Sequence, residues 1–163
     1  MIITRIPPLA GDRRRVVSQT AEYALRAVLY LAERDETVPV RVGDMARALG
    51  IPQNYLSKTL HALVRTGVLA SVRGPQGGFL LARPASQLPL AVIVAPFGDI
   101  AERRHCLLGR PECRDRGACA AHYAWKRTAE QVARFFRTTT IGDLRGRAAV
   151  PVATRRPTRR RAS

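Results

Sequence analysis

Three cysteines and one histidine are the residues of this 163-residue chain with the most distinctive chemistry. Six residues separate Cys106 from Cys113, five separate Cys113 from Cys119, and two separate Cys119 from His122. An odd number of cysteines does not fit a disulfide framework, whereas thiolates and imidazole are good ligands for zinc or an iron–sulfur cluster. The gaps of six and five are wide for a structural zinc site, so the spacing favours a cluster over zinc or free thiols.

The composition indicates a folded protein with a polyanionic partner. The chain carries a formal net charge of +16, and 46% of its residues are hydrophobic, which excludes a wholly disordered chain. Clustered cations release counterions from phosphate backbones, so nucleic acid is the first partner to consider. No apolar run reaches the roughly 18 residues of a membrane helix, and no secretory signal is apparent. We therefore expect a cytoplasmic protein with no membrane contact.

Much of this charge lies at the two ends of the chain. Residues 1–15 carry a net +3, residues 145–163 carry +7, and the segment between carries +6. Both ends are rich in arginine and lack apolar periodicity, so we interpret them as disordered extensions. The arginine-rich tail is interpreted as a solvated segment with weak non-specific affinity, and a phosphate-binding arm is the alternative.

Apolar spacing predicts three helices in succession. The first runs from Ser18 to about Glu33, and the hydroxyls of Ser18 and Thr20 can cap its start. The second runs from Val42 to Leu49 with Gly50 as its terminator. The third follows Ile51-Pro52, with proline in its first turn, and ends near Thr66. Its predicted buried face comprises Tyr55, Leu56, Leu60, Leu63 and Val64. Two helices joined by a tight glycine-containing turn form a helix-turn-helix pattern.

A hairpin follows the third helix directly. Short apolar segments at 68–72 and 79–82 flank a turn rich in glycine and proline. A helix-turn-helix followed by a hairpin predicts a winged helix spanning 16–84, with the third helix in the major groove and Arg73 at the wing tip. The predicted DNA-binding residues on that helix are Gln53, Asn54, Ser57, Lys58 and His61.

Residues 85–144 are predicted to contain a linker helix, the cysteine loop and a long C-terminal dimerisation helix. This last helix runs from Tyr123 to Arg137, with apolar positions at Trp125, Val132, Phe135 and Phe136. Because this apolar surface lies outside the winged helix, a symmetric homodimer would cover it, although the helix could also fold back on its own domain. Thr140 and Asp143 have the spacing of a capping box and predict one more short helix. The fold class is therefore mainly α with a small β-wing.

Several motifs together resemble the family of iron–sulfur transcriptional regulators typified by IscR and NsrR. They are Glu22-Tyr23-Ala24-Leu25-Arg26-Ala27, Ile51-Pro52-Gln53-Asn54-Tyr55-Leu56, the wing from Ser71 to Ala82, the three-cysteine loop, and Thr139-Thr140-Ile141-Gly142-Asp143-Leu144. The resemblance covers about Val17 to Leu144, and the wing is its most specific part.

This resemblance implies a homodimeric DNA-binding regulator, usually a repressor and not an enzyme. Its affinity for a double-stranded operator would respond to loss, oxidation or nitrosylation of an iron–sulfur cluster. By position, base reading falls on Asn54, Ser57 and Lys58, with Arg73 in the minor groove. The thiolate ligands fall on the three cysteines of the loop.

The resemblance offers two candidates for the fourth ligand of the cluster. His122 matches the IscR-like arrangement that holds a [2Fe–2S] cluster, and Glu22 matches an acidic ligand donated by the other subunit to a [4Fe–4S] cluster in NsrR-like members. His122 is favoured, because imidazole is the softer donor and is placed on the same loop. The chain departs from the IscR-like pattern by one extra residue between Cys106 and Cys113 and by a serine at position 57 in place of glutamate. Alternatives are a thiol- or zinc-switched regulator and, more remotely, a small thiol redox enzyme.

Overall fold

The computed structural model describes residues 16–34, 36–98, 108 and 115–146. The expectations for residues 1–15, for Cys106 and Cys113, and for all but the first two residues of the C-terminal tail lie outside the described residues. Within them, the chain is mainly helical with one two-stranded antiparallel sheet, which confirms the predicted fold class.

Six α-helices lie in the described ranges. They are α1 (Gln19–Ala32), α2 (Val42–Leu49), α3 (Gln53–Arg65), α4 (Leu90–Val94), α5 (His122–Thr138) and α6 (Ile141–Leu144), with short 3-10 turns at Ala85–Gln87 and Ala95–Phe97. No helix in the part of the chain that the structure describes is both long and apolar enough to cross a membrane.

The start of α1 is capped as its sequence predicts. The hydroxyl of Ser18 accepts a hydrogen bond from the backbone N–H of Ala21 at 3.2 Å, which satisfies one of the helix's unpaired donors. The same hydroxyl donates to the backbone carbonyl of Phe97 at 3.2 Å. The N-terminus of α1 therefore lies beside the segment that leads towards the cysteines.

The turn between α2 and α3 depends on glycine. Gly50 has a φ of 63°, a left-handed conformation that strains residues with a Cβ, and the backbone N–H of Ile51 then bonds to Ala46 O at 3.0 Å. Pro52 is the N-cap of α3 and lies one position before the first turn in which it was predicted. The helix-turn-helix is thus formed by α2, this turn and α3.

The wing is a hairpin of β1 (Leu69–Val72) and β2 (Gly78–Leu81). Its register pairs Leu69 with Leu81 and Val72 with Gly78, so residues 73–77 form the tip. A further backbone pairing, which the sequence did not predict, joins Val40 to Phe79. The segment before α2 therefore lies along the outer edge of β2.

The core lies where α1, α3 and α4 pack together. Its fully buried side chains include Val28 of α1, Leu56, Leu60 and Leu63 of α3, and Ile93 of α4. Tyr55, predicted to be buried, is 43% exposed, which corrects that expectation. Its ring meets Tyr23 edge-on at 5.7 Å and its hydroxyl contacts that of Thr20, so it lies at the rim of the core.

The last two helices close the structure against α1 and α4. Phe136 of α5 is buried in the core, and the predicted capping box is present, with Thr140 N donating to Asp143 Oδ2 at 2.8 Å and Asp143 N donating to Thr140 Oγ1 at 3.2 Å. Arg145, which we predicted to begin a disordered tail, pairs with Glu36 at 2.9 Å. Arg145 therefore packs against the folded domain, contrary to that expectation.

Candidate DNA-binding surface and candidate metal centre

The outward face of α3 carries the residues predicted to read DNA. Four of the five, Gln53, Asn54, Lys58 and His61, are exposed, and Ser57 is partly exposed. Their spacing of three to four residues places them on one side of the helix, opposite the buried Leu56, Leu60 and Leu63. Amide and ammonium groups arranged in this way can reach base edges and phosphates in a major groove.

Two of these residues also contact neighbouring elements. The ring of His61 meets the ring of Phe79 in the wing edge-on, with centroids 5.4 Å apart. The side-chain oxygen of Gln53 lies close to Gly43 of α2. A Cβ at position 43 would stand 3.4 Å from that oxygen. The ring of His61 and the amide of Gln53 are therefore partly engaged by neighbouring elements of the domain.

The wing tip presents an arginine on a tight turn. Arg73 is exposed and precedes a turn in which the N–H of Gly77 bonds to the carbonyl of Gly74 at 2.9 Å. A Cβ at position 77 would come within 2.2 Å of the carbonyl oxygen of Val72, so this turn requires glycine there. A narrow, basic hairpin tip of this kind suits a minor groove, whose negative potential attracts guanidinium groups.

The candidate metal centre is described at two of its four predicted ligands. Cys119 is a free, half-buried cysteine, and its carbonyl oxygen accepts the backbone N–H of His122 at 2.9 Å. His122 was predicted to lie on the cysteine loop, but it is the first residue of α5 and its side chain is only 3% exposed. The cysteine loop therefore ends at a helix start, with thiol and imidazole one turn apart.

Asp115, which the sequence does not single out, contacts His122. Nε2 of His122 lies 2.7 Å from Oδ1 of Asp115, and Nζ of Lys126 lies 3.2 Å from the same oxygen. The hydrogen bond from His122 and then Lys126 hold the pKa of the Asp115 carboxyl below its ordinary value, so the group is an ionised acceptor. No sequence signal reveals this pair, because a separation of seven residues across a loop has no periodic pattern.

Nothing in the described ranges completes a metal site by itself. No three histidine, cysteine, aspartate or glutamate side chains in these ranges are arranged to hold a metal ion. Cys106 and Cys113 lie outside them. The alternative ligand, Glu22, is partly buried in the first turn of α1, one helical turn from Ser18 and its bond to Phe97.

A helix-turn-helix with a basic-tipped wing defines a winged-helix DNA-binding protein. The profile of the Rrf2 family, described as an iron-dependent transcriptional regulator, matches residues 17–147. The chain belongs to this family and is a transcriptional regulator, which confirms the resemblance seen in its motifs.

Individual relatives agree with this assignment. An HTH-type transcriptional regulator of Aquifex aeolicus is 38% identical over 132 residues, covering 79% of this chain and 90% of the relative. The regulator IscR of Klebsiella pneumoniae is 30% identical over 128 residues, covering 78% of each chain. These relatives are regulators, in agreement with the prediction that the chain is not an enzyme.

Two solved structures share the fold. CymR, the global cysteine regulator of B. subtilis, superposes with a TM-score of 0.70 at 22% identity, covering 82% of this chain and 98% of that one. IscR of T. potens gives a TM-score of 0.63 at 22% identity, covering 82% and 86%.

Proposed function

We propose that this chain is a homodimeric repressor whose affinity for its operator is set by an iron–sulfur cluster. The cluster would be held by Cys106, Cys113, Cys119 and His122. Its state would change with redox conditions, nitric oxide or cluster supply. Operator DNA would be read by the outward face of α3, defined above, and by Arg73 at the wing tip.

The observation that carries the cluster proposal is the bond between His122 and Asp115. Histidines that ligate metals commonly donate their other ring N–H to a carboxylate, which fixes the tautomer and the ring orientation. An ionised Asp115 accepts a hydrogen bond from Nε2 of His122. His122 would be the imidazole ligand of the cluster, and Asp115 would hold its ring in place.

The residues described here fit the cluster by their donor chemistry. A half-buried thiol and a buried imidazole lie one turn apart at the start of α5, and thiolates with imidazole are known ligands of [2Fe–2S] centres. The [2Fe–2S] form is therefore favoured over a [4Fe–4S] cluster completed by Glu22 of a second subunit. When bound, such a cluster supplies iron that changes redox state and reacts with nitric oxide.

A continuous path of packed helices connects this centre with the DNA-binding surface. The helix α5, which begins at His122, packs on α4; α4 packs on α1; and α1 packs on α3. A change at the start of α5 would therefore reach the recognition helix through buried contacts. A coupling of about 1–3 kcal/mol would alter operator affinity by roughly 5- to 150-fold.

The homodimer is supported by the surface of α5. Phe136 faces the core, but Phe135 is 52% exposed and Tyr123 is 65% exposed. Large exposed aromatic side chains along one helix are typical of an interaction surface. A second copy of the chain would cover them and place two recognition helices on the two halves of an operator.

A thiol-switched regulator is the second candidate. It is supported by the fold shared with the cysteine regulator CymR and with the oxidised form of CymR from Staphylococcus aureus, which superposes with a TM-score of 0.65. In that case a peroxide would take two electrons from the thiolate of Cys119, which is partly accessible, to give a sulfenic acid without any cluster.

Anaerobic purification followed by visible absorption, iron and sulfide assay distinguishes these candidates. The cluster proposal predicts a coloured protein with equal amounts of iron and sulfide, and the ligand assignment predicts that His122→Ala changes the spectrum while Glu22→Ala does not. A colourless protein without sulfide, or one with a single zinc per chain, would overturn the cluster proposal. An altered spectrum in Glu22→Ala alone would transfer the fourth ligand to Glu22.

A further inference from the structure

The segment that precedes α2 is joined to the wing by its backbone. Val40 N donates to Phe79 O and Phe79 N donates to Val40 O, each at 2.9 Å, which is the pairing of an antiparallel strand. The approach is close, because a Cβ on Gly78 would lie 2.5 Å from the carbonyl oxygen of Val40 and 3.0 Å from the nitrogen of Arg41. This segment therefore pairs with the outer edge of the wing through a single backbone bridge.

The side chain of Arg41 extends this contact to the wing tip. Its Nη2 donates a hydrogen bond to the carbonyl oxygen of Pro75. Pro75 is the second residue of the turn that the bond from Gly77 to Gly74 closes, and it lies two residues beyond Arg73. One guanidinium, anchored at the N-cap of α2, thus holds the tip that carries the DNA-reading arginine.

We propose that Arg41 is a positioning residue for DNA recognition, which holds the wing tip so that Arg73 is presented to the minor groove. This inference rests on the proposed role of Arg73 in operator binding. The tip is five residues long and includes Gly74 and Gly77. A glycine-rich loop loses much conformational entropy when it is ordered by a ligand, so a loop ordered beforehand binds more tightly.

The anchoring bond has the chemistry that this role needs. A charged donor to a carbonyl forms a stronger bond than a neutral one. The anchor point is also firm, because the backbone beside it is paired with β2 as described above. Arg41 remains exposed, so a direct contact of its guanidinium with a DNA phosphate is the competing role, and the experiment must separate the two.

A double-mutant cycle separates the positioning role of Arg41 from a direct phosphate contact. It uses the whole chain and an operator fragment that the wild-type protein selects from random DNA. We expect Arg41→Ala to weaken binding about 5- to 10-fold, the size of one typical net hydrogen bond, because this bond is exposed to solvent. In an Arg73→Ala background the same change should have almost no effect, because there is no longer a wing arginine to position. Additive losses, with a salt slope reduced by about one, would show a phosphate contact and overturn the proposal.

Hydrogen exchange on the free protein tests, without DNA, whether Arg41 orders the wing tip. The amide of Gly77, which is protected by its bond to Gly74, should exchange faster in Arg41→Ala and be unchanged in Arg47→Ala. Arg47 is a matched control, since it is an exposed arginine of α2 that pairs with Asp44 and not with the wing. Unchanged exchange at Gly77 in Arg41→Ala would overturn the proposal.

The two measurements also separate this proposal from the function on which it rests. If Arg73→Ala binds the operator as the wild type does, the proposed wing contact with DNA is wrong. Faster exchange at Gly77 in that case would still show that Arg41 braces the tip, but its role in recognition would be overturned with the wing contact.

Discussion

His122 and Asp115 are joined by a 2.7 Å hydrogen bond between Nε2 and Oδ1 that ties the end of the cysteine loop to the first residue of α5. The imidazole is buried while the carboxylate is largely exposed, so the pair spans the boundary between the core and solvent. Lys126, one turn further along α5, donates to the same carboxylate, with Nζ 3.2 Å from Oδ1 and 3.4 Å from Oδ2. The aspartate therefore fixes the ring of His122 at the start of α5.

Replacing this aspartate should weaken the proposed centre without removing a ligand. We expect Asp115→Ala to lower cluster retention by about 10- to 100-fold, because the imidazole loses the partner that orients it. Lys126→Ala is the control, since it removes a second contact of Asp115 and leaves the bond to His122 in place. The measurement is the rate of absorbance loss with a chelator, and equal rates in the wild type and Asp115→Ala would contradict the role of the aspartate.

The outward face of α3 should carry sequence discrimination. Lys58→Ala is expected to weaken operator binding by about 1–3 kcal/mol and to relax preference at one base position, because an ammonium in the groove contacts specific acceptors. Arg137→Ala removes an exposed cation of α5 and serves as the charge control. Fluorescence anisotropy with operator and scrambled DNA measures both effects. A uniform loss on both DNAs would show that Lys58 binds phosphate and does not read a base.

The exposed Phe135 of α5 should control assembly of the proposed homodimer. We expect Phe135→Asp to convert the proposed homodimer to a monomer, because a carboxylate in an apolar interface loses its hydration without a partner. Val92→Asp places the same charge on a 40% exposed valine of α4 and should leave the dimer intact. Sedimentation velocity reads the mass directly, and a Phe135→Asp variant that remains dimeric would place the interface elsewhere.

Two glycines of the DNA-binding domain should differ in what they tolerate. Gly50→Ala meets no atom within 4 Å and bears only the strain of a left-handed φ, so a loss of about 1 kcal/mol in unfolding free energy is expected. Gly78→Ala would force a Cβ against the carbonyl of Val40, so we expect a larger loss of about 2–3 kcal/mol. Urea unfolding compares the two variants. A smaller loss in Gly78→Ala would show that the edge segment can move away from the wing.

The sequence predicted the helices well where local chemistry determines them. The N-cap Ser18, the terminator Gly50 and the capping box of Thr140 and Asp143 act within a single turn, and each is found in its predicted role. The prediction that Tyr55 is buried was wrong. Its ring contacts Tyr23 and its hydroxyl contacts Thr20, both of α1, at the rim of the core. The apolar spacing of α3 alone does not reveal these contacts with another helix.

The contacts that the sequence did not reveal are those between distant segments. The pairing of Val40 with Phe79 involves too few residues to produce an alternating pattern, and the bond of Asp115 to His122 crosses a loop of irregular spacing. His122 itself was expected on the loop, whereas the helix begins there and buries the ring. Sequence reasoning therefore located the candidate ligand, and the structure supplied its environment.

Cluster control of DNA binding is tested by the affinity of one anaerobic preparation for its selected operator, measured with the centre intact and again after its removal by a chelator. We expect the affinity to change at least five-fold between the two forms, and Cys119→Ala to behave as the chelated protein does with or without treatment. Equal affinity in both forms, with a cluster present at the start, would contradict the claim that the centre sets operator binding.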